Sequence, residues 1–260
     1  MRPLQPGDRV QLAAASSALR GEGAAERLKA GCAVLAGWGL QVPSHEELEE
    51  RWLGRHWGYL AGSDEQRLAD LEPEEAPLLA CVRGGWGAAR LLEQAPTLAE
   101  RWLLGFSDVT SLLWAQCAQG CSGAVHGPML TTLASEPAWS QERLRRLLFG
   151  ECLPALEGKG WCGGVATGPL LAGNLTVATH LLGTVLLPPL EGAILVLEDV
   201  GEAPYRIERM LTHWRLCGAL QQLGGIGFGS FSGCNDDDDP EAAAEQAAGR
   251  RFSLEQVLHE

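Results

Sequence analysis

No run in this chain is apolar for the thickness of a bilayer, and the first residues, MRPLQPGDRVQLAAASS, hold one early Arg but no apolar core of signal-peptide length. The expectation is therefore a cytoplasmic protein with no membrane partner. Positive charge is scarce as well. Lys and Arg together number 20 against 33 Asp and Glu, only Lys29 and Lys159 are lysines, and the net charge is -13. Such a balance excludes a nucleic-acid surface and attraction to anionic lipid. Metal-site spacing is also lacking. The 8 cysteines (Cys32, Cys81, Cys117, Cys121, Cys152, Cys162, Cys217 and Cys234) form no C-x-x-C pair and have no histidine at zinc spacing. They read as reduced thiols packed like small apolar residues, and neither a metal nor a cofactor is expected. Small molecules and peptides remain as ligands.

What is present is ordinary globular material. At 260 residues, 46% hydrophobic and 20% charged, the chain can bury a sizeable core as two compact domains or one large α/β domain. Val10 to Ala15 is a short apolar run before Ser16-Ser17, and a helical pattern over Ala24 to Ala36 is closed by Gly37 and Gly39. Leu40 to Val42 reads as a second strand, followed by a loop from Pro43 to Trp57. Ser63, Asp64 and Glu65 open a further helix, because an oxygen acceptor and two acids sit where its first N–H groups and its dipole want them. Leu78 to Val82 is a buried strand that feeds Arg83-Gly84-Gly85-Trp86-Gly87 and a helix from Ala88. Glycines between a strand and a helix bring backbone N–H groups close to a ligand, or merely permit a tight turn.

The chain is organised around Leu103 to Trp114, LLGFSDVTSLLW. An apolar run ends at Gly105-Phe106-Ser107-Asp108 and gives way at once to Val109, Leu112 and Leu113 at helical spacing, the pattern of strand, sharp turn and helix. A serine at that turn is lifted clear of the sheet edge, beside N–H groups that lack intrahelical acceptors. Ser and Asp are equally good N-caps, so the stretch admits a purely structural reading. His126, in GAVHGPM, is a candidate base or a satisfied structural residue.

Two domains are expected: residues 1–133 as a repeating β/α series, a linker over 134–162, and a second α/β region over 163–260. In the last, Gly163 to Leu171 reads as a strand, Leu175 to Leu182 as a helix, and Ala193 to Leu197 as a strand ending in Glu198-Asp199. Acids there could cap a helix or orient a histidine as the third member of a triad. The run Asn235 to Asp239 lacks the spaced ligands of a calcium loop and reads as a solvated turn.

Together LQPGDRVQLAAASS, YLAGSDEQRLADL, RGGWGAARLL with GFSDVTSLLWA, GPLLAGNLTVATHLLGT and ILVLEDVGEAPYRIERML resemble the LD-carboxypeptidase family of serine peptidases, in the family's order and over nearly the whole chain. That family includes muramoyl-tetrapeptide carboxypeptidases and microcin C immunity peptidases, and LEDVGEAPYRI looks more like the murein branch. The resemblance implies a flavodoxin-like N-terminal domain of the class I glutamine-amidotransferase type, a smaller swivelling α/β C-terminal domain, and a homodimer. It further implies release of terminal D-alanine from a murein tetrapeptide during peptidoglycan recycling, with no cofactor. By resemblance the nucleophile falls on Ser107, the triad carboxylate on Glu198, and the oxyanion donors on the backbone of Asp108 and Gly85. The family's histidine lies in a G-x-x-x-G-H pattern. His259 sits in FSLEQVLHE with no glycine around it and is not given that role, so the expectation is a C-terminal domain cut short of its base. An inactive peptide-binding protein on the same fold is the alternative. A glutamine amidotransferase would need Cys where Ser107 stands.

Overall fold

The computed structural model describes residues 1–235 and 240–260, and the acidic run 236–239 lies outside the described residues. The chain divides into two compact units, Met1–Leu156 and Glu157–Glu260.

The first unit holds strands β1 (Val10–Ala13), β2 (Leu78–Cys81), β3 (Trp102–Gly105) and β4 (Ala124–His126). All pair in parallel in the order β1-β2-β3-β4. Its helices are α1 (Ala24–Gly37), α2 (His45–Arg51), α3 (Asp64–Ala69), α4 (Ala88–Leu91), α5 (Thr110–Ala118), α6 (Leu130–Leu133) and α7 (Ala138–Leu148). β1 and β2 are buried along their whole length. Strands covered on both faces do not alternate, which is why VQLA and LLAC are buried at every position, Gln11 included.

Three local expectations change. Leu40 to Val42 makes only an isolated parallel bridge, Gln41 to Arg9, on the side of β1 away from β2. The loop expected from Pro43 carries α2, started by a capping box in which Ser44 Oγ accepts from Glu47 N–H and Glu47 accepts from Ser44 N–H. Seven residues without an apolar stripe give no periodic signal, so the cap is what reveals this helix. The stretch expected as linker contains α7, whose Leu144 and Leu148 join Leu4, Val10, Leu104 and Val125 in the core cluster of the first unit. An amphipathic face of that kind needs an apolar partner, and the first unit supplies it.

The second unit contains β5 (Leu170–Asn174), β6 (Ile194–Val200) and β7 (Gly225–Ser232), parallel in the order β5-β6-β7. Around them lie α8 (Leu175–Leu181), α9 (Pro204–Leu216), α10 (Pro240–Ala247) and α11 (Leu254–His259). The strand expected over Gly163 to Leu171 is displaced to Leu170–Asn174, because its pairing with Ile194 to Glu198 is set by β6. Trp214 is fully buried and donates from Nε1 to Thr179 Oγ1 at 2.9 Å, holding α9 to α8. Among the described residues no helix is long and apolar enough to cross a membrane.

Candidate active site

At the carboxyl end of β3 the backbone does something a serine rarely does. Phe106 is extended, and Ser107 then turns into the left-handed region at φ 58 before a short 3-10 turn leads into α5. An L-residue in that region costs about 1–2 kcal/mol, and such strain is kept where the surroundings over-determine it. The N-cap reading of this serine does not hold, because the turn has no side-chain cap bond. The first hydrogen bond of the turn runs from Val109 N–H to Phe106 O at 3.2 Å. The N–H groups of Ser107 and Asp108 precede it and have no acceptor within the turn, the condition for an oxyanion site. Gly105 is dictated by the same fold-back. A Cβ there would meet Val109 Cγ1 at 2.6 Å.

The strain makes a stability prediction. Ser107→Gly should raise the unfolding free energy by about 1 kcal/mol, read as a higher urea midpoint at unchanged slope, whereas Ser107→Ala should not. Equal midpoints for the two variants would show that the left-handed turn costs nothing.

Asp108 does not cap its own helix either. It is buried, and its Oδ2 accepts from Ala88 N–H at 2.9 Å, the first amide of α4, whose N-cap Gly87 has no side chain to offer. The carboxylate after the candidate nucleophile therefore ties the serine turn to the glycine loop. Ser17, in the segment after β1, holds the loop's other side: its Oγ accepts from Trp86 N–H at 3.0 Å and its N–H donates to Gly84 O at 3.3 Å. Gly85 has φ 111, and a Cβ on it would come within 2.4 Å of Ser17 Oγ. Here glycine is required twice, by the backbone angle and by the approach of Ser17. Below the loop, Arg67 is fully buried, donates to Gly87 O at 2.8 Å and pairs with Asp64 at 2.6 Å. These bonds bring Ser107, Asp108 and Gly85 to one edge of the first sheet. A Cβ on Gly84 would lie 3.3 Å from Ser107 Oγ.

Removing the tether should be costly. Asp108→Ala leaves the Ala88 amide without its buried acceptor and is expected to lose about 1–3 kcal/mol of stability in urea denaturation. Asp108→Asn retains an acceptor and should lose distinctly less. A loss of the same size in both variants would point to the charge and not the hydrogen bond.

His126 ends β4 in register with Gly105, two residues before Ser107, and its ring meets Phe106 edge-on at 6.3 Å between centroids. The other histidine positions differ. His45 pairs with Glu49 at 3.0 Å on an exposed helix, His56 is exposed between α2 and α3, and His180 and His213 are exposed on α8 and α9. His259 lies against Trp161 at 5.4 Å between ring centroids.

In the second unit the carboxyl end of β6 bears the acidic pair, and the two residues do different work. Asp199 is buried and accepts from Asn174 Nδ2 at 3.0 Å, Thr176 N–H at 2.9 Å and Thr176 Oγ1 at 2.8 Å, so it fixes the start of α8. Glu198 stands at a β-bulge: Leu197 faces Phe228 while Asp199 faces Phe231, one residue more on β7 than on β6. Bulges of this kind re-aim a side chain and gather beside active sites. The Oε1 atom of Glu198 is shielded from solvent. Glu202, by contrast, pairs with Arg206 at 3.4 Å one turn along α9. The sequence places the glycine loop one β/α unit ahead of the elbow, and the resemblance assigns both, with Glu198, to one site. The sequence does not reveal the Asp108–Ala88 and Ser17–Trp86 bonds, for which no local pattern exists.

Residues 10–127 match the LD-carboxypeptidase N-terminal domain and residues 167–260 the LD-carboxypeptidase C-terminal domain. A Synechocystis protein provisionally named a carboxypeptidase is 45% identical over 259 residues, covering 96% of this chain and 83% of that protein. The murein tetrapeptide carboxypeptidase of Pseudomonas aeruginosa is 41% identical over 211 residues, 70% of this chain and 67% of its own. Among solved structures, the muramoyltetrapeptide carboxypeptidase from Oxalobacter formigenes superimposes with a TM-score of 0.71 at 22% identity, over 96% of this chain and 82% of that one. The microcin C7 self-immunity protein MccF in its wild-type apo state gives a TM-score of 0.73 at 20% identity, over 96% and 87%.

Proposed function

The chain belongs to the LD-carboxypeptidase family, and on that premise we propose that it is a serine-type carboxypeptidase releasing terminal D-alanine from murein tetrapeptides. Ser107 is the nucleophile, the N–H groups of Asp108 and Gly85 are the oxyanion donors, and Glu198 is the carboxylate that orients the imidazole base. The observation that carries this reading is the left-handed Ser107, held at φ 58 against the Gly84–Gly85 loop by the Asp108 tether. In chemical terms, the serine Oγ attacks the carbonyl of the last peptide bond as its proton passes to the base. The tetrahedral oxyanion is met by the two backbone N–H groups, D-alanine leaves with the returned proton, and water hydrolyses the acyl-enzyme.

The murein branch is favoured over the microcin branch by the relative from Pseudomonas aeruginosa, 41% identical and named for the murein tetrapeptide. A cytoplasmic role in peptidoglycan recycling and a homodimeric assembly belong to the same reading. So does the flavodoxin-like character of the first unit, which is supported by its strand order: counting the Gln41 bridge as a rudimentary strand outside β1 gives the order 2-1-3-4-5.

The test is D-alanine release from a murein tetrapeptide by the purified chain, followed by mass spectrometry, with a tetrapeptide ending in L-alanine as comparison. The family's G-x-x-x-G-H pattern is not found within residues 1–260, so release from the D-terminated peptide and not from its epimer is expected only where another histidine of this chain serves as the base. No release from either would leave the alternative of a peptide-binding protein without turnover. Because His126 ends the strand beside Ser107's own, His126→Gln should be assayed alongside. A loss of 100-fold or more there, on the order expected for a general base, would assign the base to this histidine, and unchanged turnover would remove it from the chemistry.

A further inference from the structure

A carboxypeptidase must tell a chain end from an internal peptide bond, and the group that differs is the free carboxylate. We propose that the guanidinium of Arg83 binds that carboxylate and thereby limits the enzyme to the last bond of its substrate. The proposal rests on the reading of Ser107 as the nucleophile.

Position comes first. Arg83 opens the glycine loop, and the two glycines after it connect it to the reaction centre. A Cβ on Gly84 would lie 3.2 Å from Ser107 Cβ, and one on Gly85 would lie 3.7 Å from Arg83 Nη2. Nucleophile and guanidinium thus flank one short piece of backbone. In the substrate, the terminal carboxylate oxygens lie on the order of 5 Å from the carbonyl carbon under attack, about one residue's length.

Charge is the second argument. In the same unit Arg55 pairs with Asp70, Arg67 with Asp64, and Arg90 with Asp64. Arg83 is treated differently. Its Nε donates to Gly84 O at 3.2 Å and its Nη1 to Ala18 O at 3.0 Å, both uncharged acceptors, and among the described residues no carboxylate pairs with it. These two bonds fix the plane of the guanidinium while leaving its charge unneutralised and Nη2 without a described acceptor. A half-buried cation without a charged partner leaves part of its desolvation uncompensated. An incoming carboxylate supplies that partner, with the planar geometry that arginine matches better than lysine. Arg20 is the rival cation on this edge of the sheet. It is exposed and donates to Gly58 O.

The experiment separates binding from turnover. In the Ser107→Ala background, calorimetry compares a murein tetrapeptide bearing a free terminal carboxylate with the same peptide ending in a carboxamide. The acid should bind roughly 10- to 100-fold tighter, the range for hydrogen bonds to a charged group. Adding Arg83→Gln should abolish the preference by weakening the acid alone, and Arg83→Lys should restore part of it. Thermal melts of each variant confirm folding. Equal affinity for acid and amide, a preference that survives Arg83→Gln, or a preference lost instead in Arg20→Gln would each overturn the assignment. D-alanine release by the chain with its native Ser107, measured in parallel, reports on the proposed turnover separately. Absent release with an intact, Arg83-dependent preference would remove the turnover and leave the carboxylate site standing.

Discussion

Any D-alanine release is expected to fall by a factor on the order of 10³–10⁶ in Ser107→Ala, with the protein still folded. The hydroxyl is the atom that forms the acyl bond, and its loss leaves only what the oxyanion donors and substrate binding contribute. Folding should survive for a structural reason. The serine makes no cap bond in its turn, so no hydrogen bond of the helix start depends on it. The φ of 58 is also as costly for Ala as for Ser. The informative comparison is with Ser107→Gly, which should be equally inactive yet more stable. Release at the native rate by either variant would end the assignment of the nucleophile.

Glu198→Gln is expected to reduce kcat by roughly 10²–10⁴ with little change in KM, the pattern seen when the carboxylate of a triad is made neutral without changing its shape. Glu202→Gln should change kcat by less than about threefold. The difference follows from position. Glu198 sits on the strand, at the bulge where β7 carries an extra residue, and Gly229 leaves room beside it, a Cβ there coming only to 3.6 Å from Glu198 Cβ. Glu202 is already engaged with Arg206 at the start of α9. Steady-state kinetics on both variants, with circular dichroism as the folding check, decides between them. A larger loss in Glu202→Gln would reverse the choice.

Asp199 illustrates why adjacent acids need structure to separate them. In the sequence, Glu198 and Asp199 are two carboxylates at one strand end, either of which could cap or catalyse. Alternation along β6 turns one toward the buried face and leaves the other half-buried, and Asp199 is consumed by Asn174 and Thr176. The family resemblance selects Glu198. The structure adds that its neighbour already has a structural task.

The β/α alternation, the parallel strand cores and the placing of Ser107 at a strand-to-helix turn were legible in the residues, because apolar period, glycine and cap chemistry are local properties. What remained undetermined was of the other kind. The left-handed φ of Ser107 has no sequence signature, since serine is not a residue that prefers it. It is imposed by the contact of Val109 with Gly105 and by the reach of Asp108 to Ala88, twenty residues earlier in the chain. Likewise α7 looks like a link until the core offers Leu144 and Leu148 somewhere to go, and the solvation of Arg83 cannot be judged until Ala18 and Gly84 are seen to occupy it. Local sequence sets which elements form and which residues stand at their ends. Only the tertiary structure decides which of those ends meet, because hydrogen bonds and charge pairing between distant segments depend on strand order and not on spacing along the chain.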